Sequence, residues 1–274
     1  MIDLHCHSYY SDGLLSPAML LERALLSDVK LLALTDHDTT NGVTELLQAA
    51  QGHDIRIISG IELSVCWKKY DIHILGLNLN IDDPTLKEVI SRQSASRIAR
   101  GKAIGEALER CNITDAYQKA CDLAGHDRVG RLHFAQLLLR EGYIQEPKAA
   151  FKRYLGKGKI AYVPSSWINL HEAVETIHAA GGQAVIAHPL KYGLTRTKLH
   201  ELIHDFRAAG GKSIEVVSGD MMVEDIHKMS RLCYVFDLLA SSGSDYHGDG
   251  ISRVPLGRQK LLPNDCVPIW NAWM

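Results

Sequence analysis

The stretch "IDLHCHS" near the start of the chain places His5 and His7 one residue apart. In an extended segment alternate side chains share a face, so both imidazoles point the same way and can grip one metal ion. Metal-capable residues recur at the ends of other apolar, β-prone runs. Asp12 follows in the loop after the first run, His37 ends the second in "TDHD", Glu62 lies near the end of the third in "GIELS", and His73 lies in the fourth. His188 ends "VIAHP", and Asp245 and His247 end "GSDYH". In parallel α/β folds, active sites form where strands end at their carboxyl edge. Six imidazoles and three carboxylates exceed the roughly four to six donors that one zinc or manganese ion takes. The economical reading is a cluster of two or three ions, with a carboxylate bridging two of them. Only the run "SIEVVS" is read as supplying no ligand.

One short motif competes. "HELIH" at His200–His204 fits the H-E-x-x-H helix of zinc metalloproteases, with Glu201 as base and Glu224 as a third ligand in one class. Arg207 stands where another class needs glycine. The same segment reads as an exterior helix with Leu199, Leu202, Ile203 and Phe206 as its buried stripe. His171 and His178 likewise read as one helix face.

The elements that must position these residues are short apolar runs separated by helical patterns. "IDLHCH", "KLLALTDH", "IRIISGIELSV", "DIHILGLNL", "QAVIAHP", "SIEVVS" and "LLASSGSD" are the strands. "SPAMLLERALLSD" is a helix that Ser16 caps and Pro17 opens. Runs that are apolar throughout and joined by helices indicate a parallel sheet covered on both faces. Seven strands favour a barrel over a doubly wound sheet, two arrangements that periodicity alone does not separate. From about residue 85 to 160 the pattern is helical only. The expected organisation is a barrel formed by residues 1–97 and 160–274, with a small helical subdomain inserted at 98–159 and Gly156–Lys159 as its return hinge.

With 274 residues and 46% hydrophobic composition, the chain can bury one large domain or one domain carrying an insert. No apolar run approaches the roughly 20 residues of a membrane span, and no secretory signal opens the chain. Six cysteines without a C-x-x-C pair read as reduced, so a cytoplasmic protein is expected. A net charge of −2 argues against a general nucleic-acid or membrane binder, with no duplex DNA and no membrane among the expected partners. The charge is uneven. Residues 97–159 hold thirteen Lys and Arg against seven Asp and Glu, which leaves −8 for the remainder. An acidic body with a basic segment suits a metal scaffold beside a lid for an anionic partner.

"DLHCHSYYSDG", "LTDHD", "GIELS", "DIHILG", "AHP" and "GSDYH" resemble, in order, the successive motifs of the polymerase-and-histidinol-phosphatase (PHP) superfamily. The resemblance implies a distorted seven-stranded β/α barrel, TIM-like, around three divalent metal ions. It assigns His5, His7, Glu62 and Asp245 to the first ion. Glu62 bridges to a second, held also by His73 and His188, and Asp12, His37 and His247 hold the third. Asp12 stands where many members have His. With "GRLHFAQLL" and "FKRYLGKGKIAYVP", it resembles a branch of 3′,5′-nucleoside bisphosphate phosphatases that includes the 5′-to-3′ exoribonuclease RNase AM. Manganese is the implied metal, while the donors alone also permit zinc or iron. Hydrolysis is expected to use hydroxide generated between two ions beside Glu62 and Asp245. Asp36 or Asp38 is expected to accept an N–H from a ligating imidazole.

Within the insert, Arg97 and Arg100 share a helix face. Arg131 and His133 open a helix whose N-terminus favours phosphate, Lys159 lies in the return segment, and Tyr154 is a candidate for base stacking. These residues are the expected contacts for a small nucleotide or a short RNA. The leading expectation is release of the 3′-phosphate from nucleoside 3′,5′-bisphosphates, and the alternative is 5′-3′ exonucleolytic action on short or 5′-monophosphorylated RNA. Histidinol phosphate hydrolysis and a non-catalytic metal-binding accessory module are minor alternatives. Oligomeric state is not legible in the sequence.

Overall fold

A computed structural model describes residues 1–273. Among them lie eight strands: β1 (Ile2–Asp3), β2 (Leu31–Leu34), β3 (Arg56–Trp67), β4 (Tyr70–Leu77), β5 (Ile168–Asn169), β6 (Gln183–Ile186), β7 (Ser213–Ser218) and β8 (Leu239–Gly243). Seven follow the order β1-β2-β3-β4-β6-β7-β8, and the two-residue β5 attaches to β3. The ends of that order meet. Leu4 N donates to Ser242 O at 3.0 Å and His7 N to Tyr246 O at 2.9 Å, giving a nearly closed, seven-stranded mixed barrel.

The barrel strands β2 and β7 are buried along their whole length, as an apolar run covered on both faces must be. Outer helices are α1 (Pro17–Leu26) and α2 (Asn41–Ala49), and, after the insert, α7 (Leu170–Ala179), α8 (Arg196–Ala208) and α9 (Val223–Phe236). Local chemistry sets their starts. Ser16 Oγ accepts from Met19 N at 3.1 Å with Pro17 in the first turn, and Asn169 caps α7 through Glu172 N at 3.0 Å. On α8 the buried residues are Leu199, Leu202, Ile203 and Phe206. His200 and His204 stand on the Phe236 ring, each 5.1 Å from its centroid, and neither joins a metal-capable cluster among the described residues. The protease motif is therefore one side of an exterior helix.

One strand departs from the expected parallel sheet. β4 runs antiparallel to both β3 and β6. It follows β3 after only Lys68 and Lys69, with Lys68 at φ 54°. So short a connection can join only antiparallel neighbours, since a parallel one needs a crossover of a dozen residues.

The chain divides into two compact units, one of Met1–Ile90 with Ile168 onward and one of Ser91–Trp167. The second contains most of α3 (Pro84–Glu109), then α4 (Ala116–Ala124), α5 (Arg131–Arg140) and α6 (Pro147–Ala150), which continues as a π-helical turn over Phe151–Leu155. Its core includes Ile104, Leu108, Phe134, Leu138 and Leu155. It begins before residue 98 and ends after 159, because Trp167 packs beneath Arg97 and Arg100, with their guanidinium carbons 5.1 and 5.4 Å from its ring centroid. Among the described residues no helix is long and apolar enough to cross a membrane.

Candidate metal centre

Each candidate donor reaches the rim by its own local device. Beyond β1 the chain stays extended. Cys6 pairs with Tyr246 and sends its thiol to Ala33 O at 3.3 Å, so the side chains flanking it turn inward. His5 Nε2 and His7 Nε2 consequently stand 3.2 Å apart. The next loop folds back on Ser8, and at Gly13 a Cβ would lie 2.2 Å from His7 O, so only glycine allows the turn that presents Asp12. His37 follows β2 and pairs with Glu62 in mid-β3. Because β4 is reversed, its early residue His73 arrives where its neighbours deliver their carboxyl ends. His188 follows β6, and Asp245 and His247 follow β8. His188 and Asp245 hold φ of 24° and 52°. Such left-handed backbone costs a non-glycine residue about 1 kcal/mol or more, strain that concentrates at functional sites.

All nine side chains converge in overlapping groups. Donors placed about 2.1 Å from one centre in a tetrahedron lie about 3.4 Å from one another. His5 Nε2 and His7 Nε2 lie 3.4 and 3.3 Å from Glu62 Oε2, and each lies 3.4 Å from Asp245 Oδ1. Glu62 turns its other oxygen to His73 Nδ1 at 2.9 Å and His188 Nε2 at 2.8 Å, and those two nitrogens are 3.3 Å apart. Asp12 meets His247 Nε2 at 3.4 Å and His37 Nε2 at 3.7 Å, beside a His7–His247 ring stack with centroids 4.0 Å apart. Glu62 Oε2 is a buried carboxylate oxygen with no hydrogen-bond donor, and His7 Nδ1, His37 Nδ1 and His188 Nδ1 are likewise without a hydrogen bond. Buried polar atoms are normally satisfied. An orphaned oxygen facing imidazole nitrogens at coordination spacing fits divalent cations.

The electrostatics agree. Burial works against the charged form of Glu62, yet His37, His73 and His5 hold its carboxyl well below the usual range. Burial also opposes ionisation of Asp12 and Asp245, and the neighbouring imidazoles outweigh it, so both carboxyls are strongly depressed. Burial lowers His7 to about 4 and His37 to about 3, working against their charged forms. His247 is also pulled down by burial, but Asp12 prevails and raises it to about 9.

A family model of the PHP domain matches residues 3–160, over half the chain. The chain belongs to the PHP domain family. It is 41% identical over 271 residues to a 5′-3′ exoribonuclease of Haemophilus influenzae, covering 99% of this chain and 98% of that one. It is 40% identical over 273 residues to a 3′,5′-nucleoside bisphosphate phosphatase of Chromobacterium violaceum, covering 98% and 95%. A solved structure described as an amidohydrolase from Chromobacterium violaceum, with bound sulfate and no metal, has a TM-score of 0.95 at 39% identity, covering 99% of this chain and 95% of that one. This PHP protein is a phosphoesterase, a hydrolase of phosphoric esters.

Three residues of the PHP barrel touch the cluster without having been singled out in the sequence. Glu215, from the "SIEVVS" strand read as contributing nothing, is fully buried and contacts both His5 and the His188 backbone. The signal was present, since a carboxylate inside an all-buried strand needs a partner. Lys191, one turn beyond His188, contacts Asp245 Oδ2 on the side away from His5 and His7. The Tyr192 hydroxyl donates to Ala187 O at 2.7 Å and accepts from His73 N at 2.8 Å, tying the reversed strand to the His188 turn. Asp36 has a different task from the one expected. It accepts from Ser8 N at 2.7 Å and from Ser8 Oγ and Ser11 Oγ at 2.6 Å each, anchoring the loop that carries Asp12. Asp38 accepts from Ser64 N at 2.8 Å, bracing β3 beyond Glu62. Glu215 meets the His5 imidazole from behind, at Nδ1.

The expected substrate contacts lie in the helical unit. Arg97 and Arg100 share the Trp167 face, and Arg100 Nε donates to Val163 O at 3.1 Å. Arg131 is the first residue of α5, next to Gly130, whose Cα side faces an Arg97 Nη at 3.6 Å from an ideal Cβ position. His133 is buried, and its Nδ1 accepts from Gly130 N at 3.0 Å, closing the start of α5 as a capping side chain does. Lys159 is exposed in the return turn, and Tyr154 packs on the unit's core with Arg153 over its ring at 5.3 Å.

Proposed function

We propose that this PHP phosphoesterase hydrolyses nucleotide phosphomonoesters at a three-cation centre and releases the 3′-phosphate of nucleoside 3′,5′-bisphosphates. The observation that carries the reading is Glu62, whose two oxygens face two separate sets of imidazole donors. His5, His7, Glu62 and Asp245 would hold the first cation, Glu62, His73 and His188 the second, and Asp12, His37 and His247 the third. Divalent cations there supply Lewis acidity toward a phosphoryl oxygen and make water a better nucleophile near neutral pH. Manganese is the proposed metal, and the mixed imidazole and carboxylate donors also suit zinc or iron. Burial disfavours the charged forms of His7 and His37, and the depressed carboxyls of Glu62, Asp12 and Asp245 favour ionised oxygen donors. No serine or cysteine nucleophile is required.

Arg97, Arg100, Arg131 and Lys159 are the proposed contacts for a second phosphate, with His133 shaping the α5 start. Identity to the Chromobacterium violaceum phosphatase supports the bisphosphate substrate. Identity of 41% to the Haemophilus influenzae enzyme, against 40% to the phosphatase, supports a second reading, 5′-3′ exonucleolytic removal of nucleotides from short RNA. Timed reactions of manganese-loaded protein on adenosine 3′,5′-bisphosphate and on a short 5′-phosphorylated RNA separate the two. Faster phosphate release from the bisphosphate is expected. Faster nucleotide release from the RNA transfers the assignment to the second reading, and inactivity on both defeats the proposal.

A further inference from the structure

β7 is the barrel strand without a candidate ligand, yet its Glu215 is fully buried behind the centre. Its side chain and that of His5 are both fully buried. Oε1 stands 2.9 Å from His5 Nδ1, and Oε2 accepts from His188 N at 2.6 Å. His5 and His188 are 183 residues apart in sequence, and their rings stack with centroids 5.6 Å apart. Both direct Nε2 at Glu62, to 3.4 Å from Oε2 and 2.8 Å from Oε1.

A carboxylate is an acceptor only, so His5 Nδ1 must carry a proton to meet it. That leaves the Nε2 lone pair aimed into the cluster, the tautomer a metal ligand needs. The second oxygen acts on backbone. His188 sits at φ 24°, a conformation rarely held by a non-glycine residue, and its N–H is fixed on Glu215. We infer that Glu215 is a positioning residue that sets the His5 tautomer and the His188 backbone together, locking one imidazole against each oxygen of Glu62. The inference rests on the proposed metal assignment of His5 and His188.

Glutamine in this place cannot serve both donors. Its single oxygen satisfies one N–H, and its amide then faces either the other N–H or His5 Nδ1 as a donor. In the second case His5 must move its proton to Nε2 and lose its lone pair toward Glu62. Loss of such a partner typically weakens metal affinity about 10–100-fold.

The test is Glu215→Gln, with manganese titrated into metal-stripped protein and bound metal counted. Zinc-loaded, ¹⁵N-histidine-labelled samples report the His5 tautomer. Wild type is expected to show a His5 Nδ1–H. In E215Q that signal is displaced, the tighter manganese steps weaken about 10–100-fold, and the step assigned to Asp12, His37 and His247 keeps its affinity. Excess manganese then restores kcat more than it restores Tm. An unchanged His5 tautomer with unchanged affinities overturns the inference, as does equal weakening of every step accompanying a lower Tm, the result of simple unfolding. A wild type that binds no divalent cation defeats the underlying assignment instead. Glu215→Asp, which retains the charge with a shorter reach, is expected to fall between wild type and E215Q, and an Asp variant weaker than E215Q also counts against the inference.

Discussion

The two flanks of the candidate centre are built differently. On one, the side chains of His5, His7 and Glu62 are completely buried, and those of His188 and Asp245 are 8% and 6% exposed. On the other, Asp12, His37, His247 and His73 are 16, 12, 15 and 28% exposed. The donors of His5, His7, Glu62 and Asp245 stand 3.2 to 3.4 Å apart and His188 lies 2.8 Å from Glu62, whereas Asp12 stands 3.4 and 3.7 Å from its imidazoles. The buried flank is pinned by backbone bonds of the barrel itself, such as Asp245 N to His5 O at 2.8 Å. The open flank depends on a loop held by serines on Asp36. Rigid donors at ideal spacing bind tightly and exchange slowly, and donors on a solvent-exposed loop exchange readily. The proposed third cation is therefore expected to be the more readily replaced one.

The contrast is most strongly tested on the buried flank. Asp245→Ala or His188→Ala is expected to lower kcat on every substrate by roughly a thousandfold or more, since each removes a donor and leaves buried partners uncompensated. Phosphate release by manganese-saturated variants measures this, and near-wild-type turnover would break the model of the centre. On the open flank, Asp12→Ala or His247→Ala is expected to cost about 10–100-fold, mostly recoverable at millimolar manganese. If these variants prove as irrecoverable as the first pair, the two flanks do not differ.

Stability against pH gives a smaller, two-sided effect in metal-stripped protein. Burial lowers His7 to about 4 and His37 to about 3, so their contribution is complete above the unfolded value of 6.5 and is lost as pH falls toward those values. His247 is raised to about 9 by Asp12 against its burial, so its contribution is complete below 6.5 and lost as pH rises through 9. The Tm of the stripped protein should peak near neutrality, and manganese should flatten the alkaline limb by replacing the His247 proton. A Tm that climbs steadily to pH 9 contradicts this sign. The smallest effect belongs to the helical unit. Arg131→Ala is expected to raise KM for a bisphosphate about tenfold with turnover of a small aryl phosphate unchanged, and equal loss on both removes its role in selectivity.

Much of this arrangement is legible in the sequence because ligand chemistry and strand position coincide. Residues as distant as His5 and Asp245 could be grouped once each was seen to close an apolar run, and they do converge. The stripe of Leu199, Leu202, Ile203 and Phe206 is equally plain, since helical spacing leaves those residues one face to bury. The reversal of β4 is not legible in the same way. An apolar run carries no direction, and Lys68–Lys69 lacks the Asn-Gly or Asp-Gly signature of a tight hairpin. Glu215 sits in an apolar strand that closes on no donor, and its contacts with His5 and the His188 backbone exist only in the folded barrel. His133 Nδ1 also accepts from Gly130 N, a closure of the α5 start that position alone does not reveal.

The seam between β1 and β8 carries a consequence for how the protein is made. Asp3 accepts from Ser244 N at 2.9 Å across 241 residues of sequence, and at Gly243 an added Cβ would lie 2.3 Å from that of His5. During synthesis the first histidines leave the ribosome long before the strand that completes their pocket. At about 5–20 residues per second that interval is about 10–50 s. Throughout it the nascent chain displays His5 and His7 without Asp245, the carboxylate grouped with them and Glu62, so the pocket around them closes only once β8 has been made.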